Sequence, residues 1–198
     1  MLSPHSNTTR RECILFLCHH TKPRAMTALD LLIKQCDNFD VIPVFDTTNG
    51  PLDLSHITNA RSINCPDVIS VLDYPVKNRH HPGTFWPKNI DLPLMWFFNV
   101  DSSYDYYWVI EYDVRFTGHW QFFFDHFHNS SSGLLATTVF DYTFRPGWVH
   151  WKSLRSPVAI RPEERVRATL SIFRVSREAL QTMHQAYTNG WGGHYDCL

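Results

Sequence analysis

Apolar residues fall in short blocks along the chain rather than in one long run. Cys13-Ile14-Leu15-Phe16-Leu17-Cys18 is uninterrupted, the pattern of a strand covered on both faces. The polar stretch His19-His20-Thr21-Lys22-Pro23-Arg24 follows as a loop, and residues 25–35 place Ala28, Leu29, Leu32 and Ile33 at helical spacing. Asp37-Asn38 break that helix. Val41-Ile42-Pro43-Val44-Phe45 then forms a second apolar block, closed by the loop Asp46-Thr47-Thr48-Asn49-Gly50-Pro51. Strand, loop, helix and strand within about 30 residues is the βαβ signature of a parallel sheet.

Further along, a third and weaker strand is expected within 62–72, around Val68-Ile69-Ser70-Val71. Residues 78–89, rich in His, Pro and Gly, read as a loop, and 90–98 as a largely buried helix. Tyr106-Tyr107-Trp108-Val109-Ile110 carries the strongest strand signal of the chain. A helix at 121–128, a strand at 134–140, a loop through 146–152 and a strand at 170–175 follow. The last helix is expected over 176–187, with Ser176 as N-cap and Glu178 in the first turn, before a Gly-rich end. The expected fold is α/β: a mixed, mainly parallel, Rossmann-like sheet with helices on both faces.

In such sheets ligands gather at the carboxyl ends of the strands. Three polar clusters sit there in this reading: 19–24, 46–49 and 111–113. Glu111 and Asp113 follow an apolar strand. If the chain stays extended, their carboxylates share one side, a hard-oxygen pair suited to Mg²⁺ or Mn²⁺. The alternative is that either residue caps the turn or pairs with Arg115. In Trp191-Gly192-Gly193-His194-Tyr195-Asp196 the glycines permit close backbone approach to a ligand. There His194 is a candidate metal ligand and Asp196 a candidate general base, and a glycine-capped tail is the competing reading. Phe144, Trp148 and Trp151 fit an acceptor pocket and a packed core equally.

The composition narrows the classes. Of 198 residues, 18 are Lys or Arg and 19 are Asp or Glu, so the net charge of −1 argues against a general nucleic-acid binder. Five scattered cysteines, with no CxxC, suit reduced thiols in a reducing compartment, so a cytoplasmic location is expected. No apolar run approaches the roughly 18 residues of a transmembrane helix, and residues 1–12 lack the apolar core of a signal peptide. The sequons at Asn7 and Asn129 carry little weight without such a signal. The histidines at 19–20, 80–81, 119, 126 and 128 match no zinc spacing, and GxGxxG, GxxxxGK[ST] and GxSxG are all absent.

Taken in order, these pieces resemble a GT-A-type nucleotide-sugar glycosyltransferase. Trp108-Val109-Ile110-Glu111-Tyr112-Asp113-Val114 resembles that fold's strand and DxD-type motif, with Glu in the first acidic place. Trp191-Gly192-Gly193-His194-Tyr195-Asp196 resembles the Trp-Gly-Gly-acidic segment of galactosyltransferase-like members, where the acidic residue is associated with acceptor binding or base catalysis. The motif Glu-Tyr-Asp-Val-x-Phe-x-Gly at 111–118, with the Trp-Gly-Gly-His segment, is similar to a sparsely characterised group of glycosyltransferase-like proteins.

Residues 1–12 read as a polar lead, and the resemblance implies one GT-A-like domain at 13–198. Residues 13–113 would be the nucleotide-binding half and 114–198 the acceptor half, shortened at its C-terminus. It implies transfer of a sugar from a nucleoside diphosphate sugar to a hydroxyl acceptor on a glycan, lipid or protein, assisted by Mn²⁺ or Mg²⁺. Glu111, Asp113 and His194 would hold the metal, His19, Thr21 and Asp46 would contact the nucleotide, and Asp196 would be the base. The competing expectations are a metal-dependent nucleotidyltransferase or phosphoester hydrolase, and a non-catalytic nucleotide- or glycan-binding domain.

Overall fold

The computed structural model describes residues 10–77, 83–85 and 89–197; the first sequon and His80-His81 lie outside the described residues. Among the described residues, six strands form one mixed sheet in the order β3-β2-β1-β4-β6-β5. They are β1 (Glu12–Cys18), β2 (Asp40–Asp46), β3 (Arg61–Ile63), β4 (Tyr106–Glu111), β5 (Leu134–Asp141) and β6 (Val166–Ser176). The helices are α1 (Pro23–Gln35), α2 (Cys65–Leu72), α3 (Asp91–Val100), α4 (Trp120–Phe127) and α5 (Arg177–Thr188).

β1 lies fully buried between β2 and β4, parallel to both, which explains its unbroken apolar sequence. Side-chain alternation along it divides the core. Cys13, Leu15 and Leu17 face the layer of α2, α3 and α5, whereas Ile14, Phe16 and Cys18 face α1 and α4. Helices therefore cover both faces, as expected.

Two expectations require correction. The sheet is not mainly parallel: β1, β2, β3 and β4 run parallel, but β6 is antiparallel to both β4 and β5. Parallel neighbours need a crossover, usually a helix. The link from β5 to β6 holds only two short 3-10 turns, at Val149–Ser153 and Pro162–Glu164, and the chain returns alongside β5 instead. The second correction concerns Val68-Ile69-Ser70-Val71, which is helical, within α2. The side chain of Asn64 accepts a hydrogen bond from Asp67 N at 2.9 Å, which caps the helix. Burial of Cys65, Val68 and Leu72 on one face outweighs the β-branched propensity. The third strand is instead the short β3 just before it.

The remaining elements follow the hydrophobic pattern. Ser176 caps α5 by accepting from Ala179 N at 3.1 Å. Arg174 of β6, 0% exposed, lies over the ring of Tyr106 at 4.2 Å. It donates to the carbonyls of Phe127 and Ser130, tying the end of α4 to the sheet. The five cysteines form no disulfide, and four of them are buried. No helix among the described residues is long and apolar enough to cross a membrane.

Candidate functional site

From β1 the chain proceeds through β2 to β3 on one side and returns to place β4 on the other. The gap between β1 and β4 is therefore the point where strand order reverses, and a crevice outside the carboxyl ends of these strands is where open α/β sheets bind ligands. His19 and His20 leave β1 there, and Tyr112 leaves β4. Their rings form one cluster: His19–His20 4.8 Å, His19–Tyr112 4.9 Å and His20–Tyr112 4.6 Å, all edge-on. Burial lowers the pKa of His19, helped by His20 and Lys22 and opposed by Asp46 and Asp113. Both carboxylates thus lie within electrostatic reach of this imidazole.

These groups differ in how committed they are. Asp46 Oδ1 accepts from Thr48 N at 2.8 Å and from the Thr48 hydroxyl, whose oxygen in turn accepts from Cys65 N at 2.8 Å. Asp46 thereby shapes the loop that leads to α2. His20 Nδ1 accepts from Lys22 N at 3.4 Å, and its carbonyl receives the Cys18 thiol at 2.9 Å. Thr21 lies half-buried in the same loop.

The exit from β4 is not extended. Val114 N donates to Glu111 O at 3.0 Å, closing a turn with Tyr112 and Asp113 at its centre. Strand alternation consequently ends at Glu111, and the two carboxylates separate in environment. Glu111 is buried, on the β4 side shared by Tyr107 and Val109, and acts on the hydroxyl of Tyr195; Asp113 is exposed. Arg115 pairs with neither: its guanidinium donates to the carbonyls of Tyr112, Val114 and Arg24. Among the described residues no group of three or more His, Cys, Asp or Glu is placed to hold a metal, so Glu111, Asp113 and His194 do not form one donor set. A diphosphate-completed ion needs only one or two carboxylates, which the donor chemistry of Asp113 satisfies.

The C-terminal segment is docked rather than a loose tail. Arg155 and Gly192 exchange backbone hydrogen bonds of 2.8 and 3.0 Å, and Ala168 N donates to Asp196 O at 3.1 Å. A Cβ at Gly192 would lie 3.0 Å from Lys77 N, and one at Gly193 would lie 3.0 Å from Ser153 O. The close approach these glycines permit is to the protein's own backbone. His194 stacks between His150 at 4.0 Å and Tyr195 at 4.6 Å, and its Nδ1 accepts from Asp196 N at 3.3 Å. Burial pushes the Asp196 carboxyl up to about 6, against the pull of Arg167.

The aromatic trio near Pro146 divides between the two readings. Trp151 is core, with Nε1 donating to Arg145 O at 3.0 Å. Phe144 is exposed and stacks on Phe140 at 4.7 Å. Trp148 and Trp151 line an open cavity of about 490 Å³ beside Tyr142 and Arg165. Trp148 also packs edge-on against His194 at 5.7 Å and under Arg167 at 4.7 Å, linking that cavity to the docked C-terminal segment.

Sequence reasoning missed a buried polar group made by Lys77, Asp91 and Tyr187. Lys77 Nζ lies 3.0 Å from Asp91 Oδ2 and donates to Gly193 O at 2.8 Å, while Tyr187 donates to Asp91 Oδ2 at 2.6 Å. Asp91 carried a signal, as the one charge in an apolar helix; Lys77 carried none.

No protein-family model matches the chain, and no curated protein matches it.

Proposed function

We propose that the chain is a glycosyltransferase of GT-A-like architecture, moving a sugar from a nucleoside diphosphate sugar to a hydroxyl acceptor with a divalent metal. The single observation that carries this reading is the reversal of strand order between β1 and β4, with His19, His20, Tyr112 and Asp113 gathered outside their carboxyl ends. In this reading His19, Thr21 and Asp46 contact the nucleotide. Asp113 holds Mn²⁺ or Mg²⁺ against the diphosphate, with Glu111 as the inner carboxylate. The ion, when bound, offsets charge on the departing diphosphate. Asp196 is the base that takes the acceptor's proton; its carboxyl, raised to about 6, is matched to work near neutral pH. The open cavity beside Trp148 would receive the acceptor, with the indole against an apolar sugar face.

A second reading, a non-catalytic nucleotide- or glycan-binding domain, is favoured by one observation: among the described residues Glu111, Asp113 and His194 are not grouped as one donor set. Thermal melting of the full chain against UDP, GDP, CDP and their sugars, with and without Mn²⁺, tests both. Ligands that bind only the folded state raise the melting temperature. The transferase reading expects a metal-dependent rise with one nucleotide, and release of its diphosphate only when an acceptor is consumed. A rise without turnover supports the binding domain, and no rise with any nucleotide or nucleotide sugar overturns the transferase reading.

A further inference from the structure

A cavity of about 460 Å³ lies between the sheet and α5, bordered by the C-terminal segment. Its wall is mostly apolar: Leu170 and Phe173 from β6, Met183 and Ala186 from α5, and Leu94 from α3. That size lies within the roughly 300–1,000 Å³ of small-molecule sites. The acidic residue in its lining is Asp91, only 3% exposed. Oδ2 of Asp91 is taken by Lys77 and Tyr187, whereas Oδ1 is buried and has no hydrogen-bond partner among the described residues. Folded chains rarely strand a buried acceptor, because desolvation without a donor is costly.

We propose that this cavity binds an apolar molecule bearing a neutral hydroxyl, its chain against Leu170, Phe173 and Met183 and its hydroxyl donating to Asp91 Oδ1. Charge selects the head group. Lys77 already balances Asp91, so an ammonium would add an uncompensated buried cation, and a carboxylate would meet Asp91 as a like charge. A neutral donor meets neither penalty. The site stands apart from the nucleotide reading, since none of His19, Asp46 and Asp113 lines this cavity.

Titration calorimetry of the full chain with 1-decanol, nonyl methyl ether and decanoate tests it. The ether matches the alcohol in length but cannot donate. Decanol is expected to bind at least about tenfold more tightly than the ether, and decanoate more weakly than decanol. Ala186→Leu fills part of the cavity from α5 while keeping the helix, and is expected to lose decanol binding with its melting transition intact. The paired variant Lys77→Met/Asp91→Leu removes both charges together, so that neither is left buried alone, and is expected to bind alcohol and ether equally. Absence of decanol binding, equal affinity of the native chain for alcohol and ether, decanoate binding as tight as decanol, or decanol affinity unchanged in Ala186→Leu would each overturn the proposal.

Discussion

Lys77 Nζ lies 3.0 Å from Asp91 Oδ2, and neither side chain is more than 3% exposed. The pair joins the start of α3 to the C-terminal segment, because the same ammonium donates to Gly193 O. An ion pair at this depth is held by mutual need rather than by net gain: attraction only offsets desolvation, but removing one partner leaves the other charge buried alone. Lys77→Met or Asp91→Leu alone is therefore expected to cost about 3–5 kcal/mol, and the double variant to recover most of that loss. Urea unfolding of the four chains measures the coupling. Additive losses in the double variant would show that the two side chains act independently.

Asp113 lies exposed in the turn after β4, and its side chain makes no hydrogen bond or ion pair among the described residues. Replacing it by Asn is expected to leave stability within about 0.5 kcal/mol, as for ordinary surface changes. The same variant is expected to lose the Mn²⁺-dependent part of any nucleotide-induced melting shift, which at ~100 times Kd amounts to about 2.7 kcal/mol in the native chain. Melting curves with and without Mn²⁺ read both quantities on one sample. A full metal-dependent shift in Asp113→Asn would remove the carboxylate from the metal role.

The first half of the fold was legible because its signals are local. The unbroken run at β1, the helical spacing of Leu29 and Leu32, and the β-branched and aromatic run at β4 each describe burial that the sheet then provides. The α2 segment was misread because a short apolar run carries no period of its own; the Asn64 cap and burial on one face decided its helical form. The direction of β6 was hidden for a different reason. Strand sense is set by the connection, and residues 142–165 have no periodic element from which to read it. At the site, the positions of His19 and Asp46 followed from strand ends, whereas the turn at Glu111–Val114 is a backbone event that the alternating-strand argument did not anticipate.

Gly193 has φ +140°, and a Cβ there would sit 3.0 Å from both Ser153 O and Leu154 Cα. Neither obstacle is a flexible side-chain end, so the backbone would have to move. Gly193→Ala is expected to destabilise by roughly 1–3 kcal/mol, the range of a residue forced into a sparsely populated backbone region. Gly147, with nothing within 4 Å of its would-be Cβ, is the control. There alanine is expected to be neutral or to stabilise by about 0.4–1 kcal/mol through the unfolded chain. Equal melting temperatures for the two variants would mean that the C-terminal segment does not depend on its close seat against residues 153–154.

Asp196 offers a test in which stability and activity move in opposite directions. Its carboxyl titrates near 3.8 in an unfolded chain and at about 6 in the folded one, so folding favours the protonated form. Between those two values the native state binds more protons than the unfolded state, and stability falls as pH rises through that window. Above pH 6 the full cost of holding the buried carboxylate ionised is present; below pH 3.8 it is gone. Asp196→Asn keeps the side-chain volume and cannot ionise. Its melting temperature is therefore expected to exceed that of the native chain by at least about 2 °C at pH 7.5, with the gain shrinking toward zero at pH 4. If Asp196 is the base, the same variant loses sugar transfer at pH 7.5 despite being the more stable protein, the signature of a residue retained for chemistry at the expense of stability. A variant less stable at pH 7.5 than the native chain would instead show that the ionised carboxylate, with Arg167 beside it, holds the fold together.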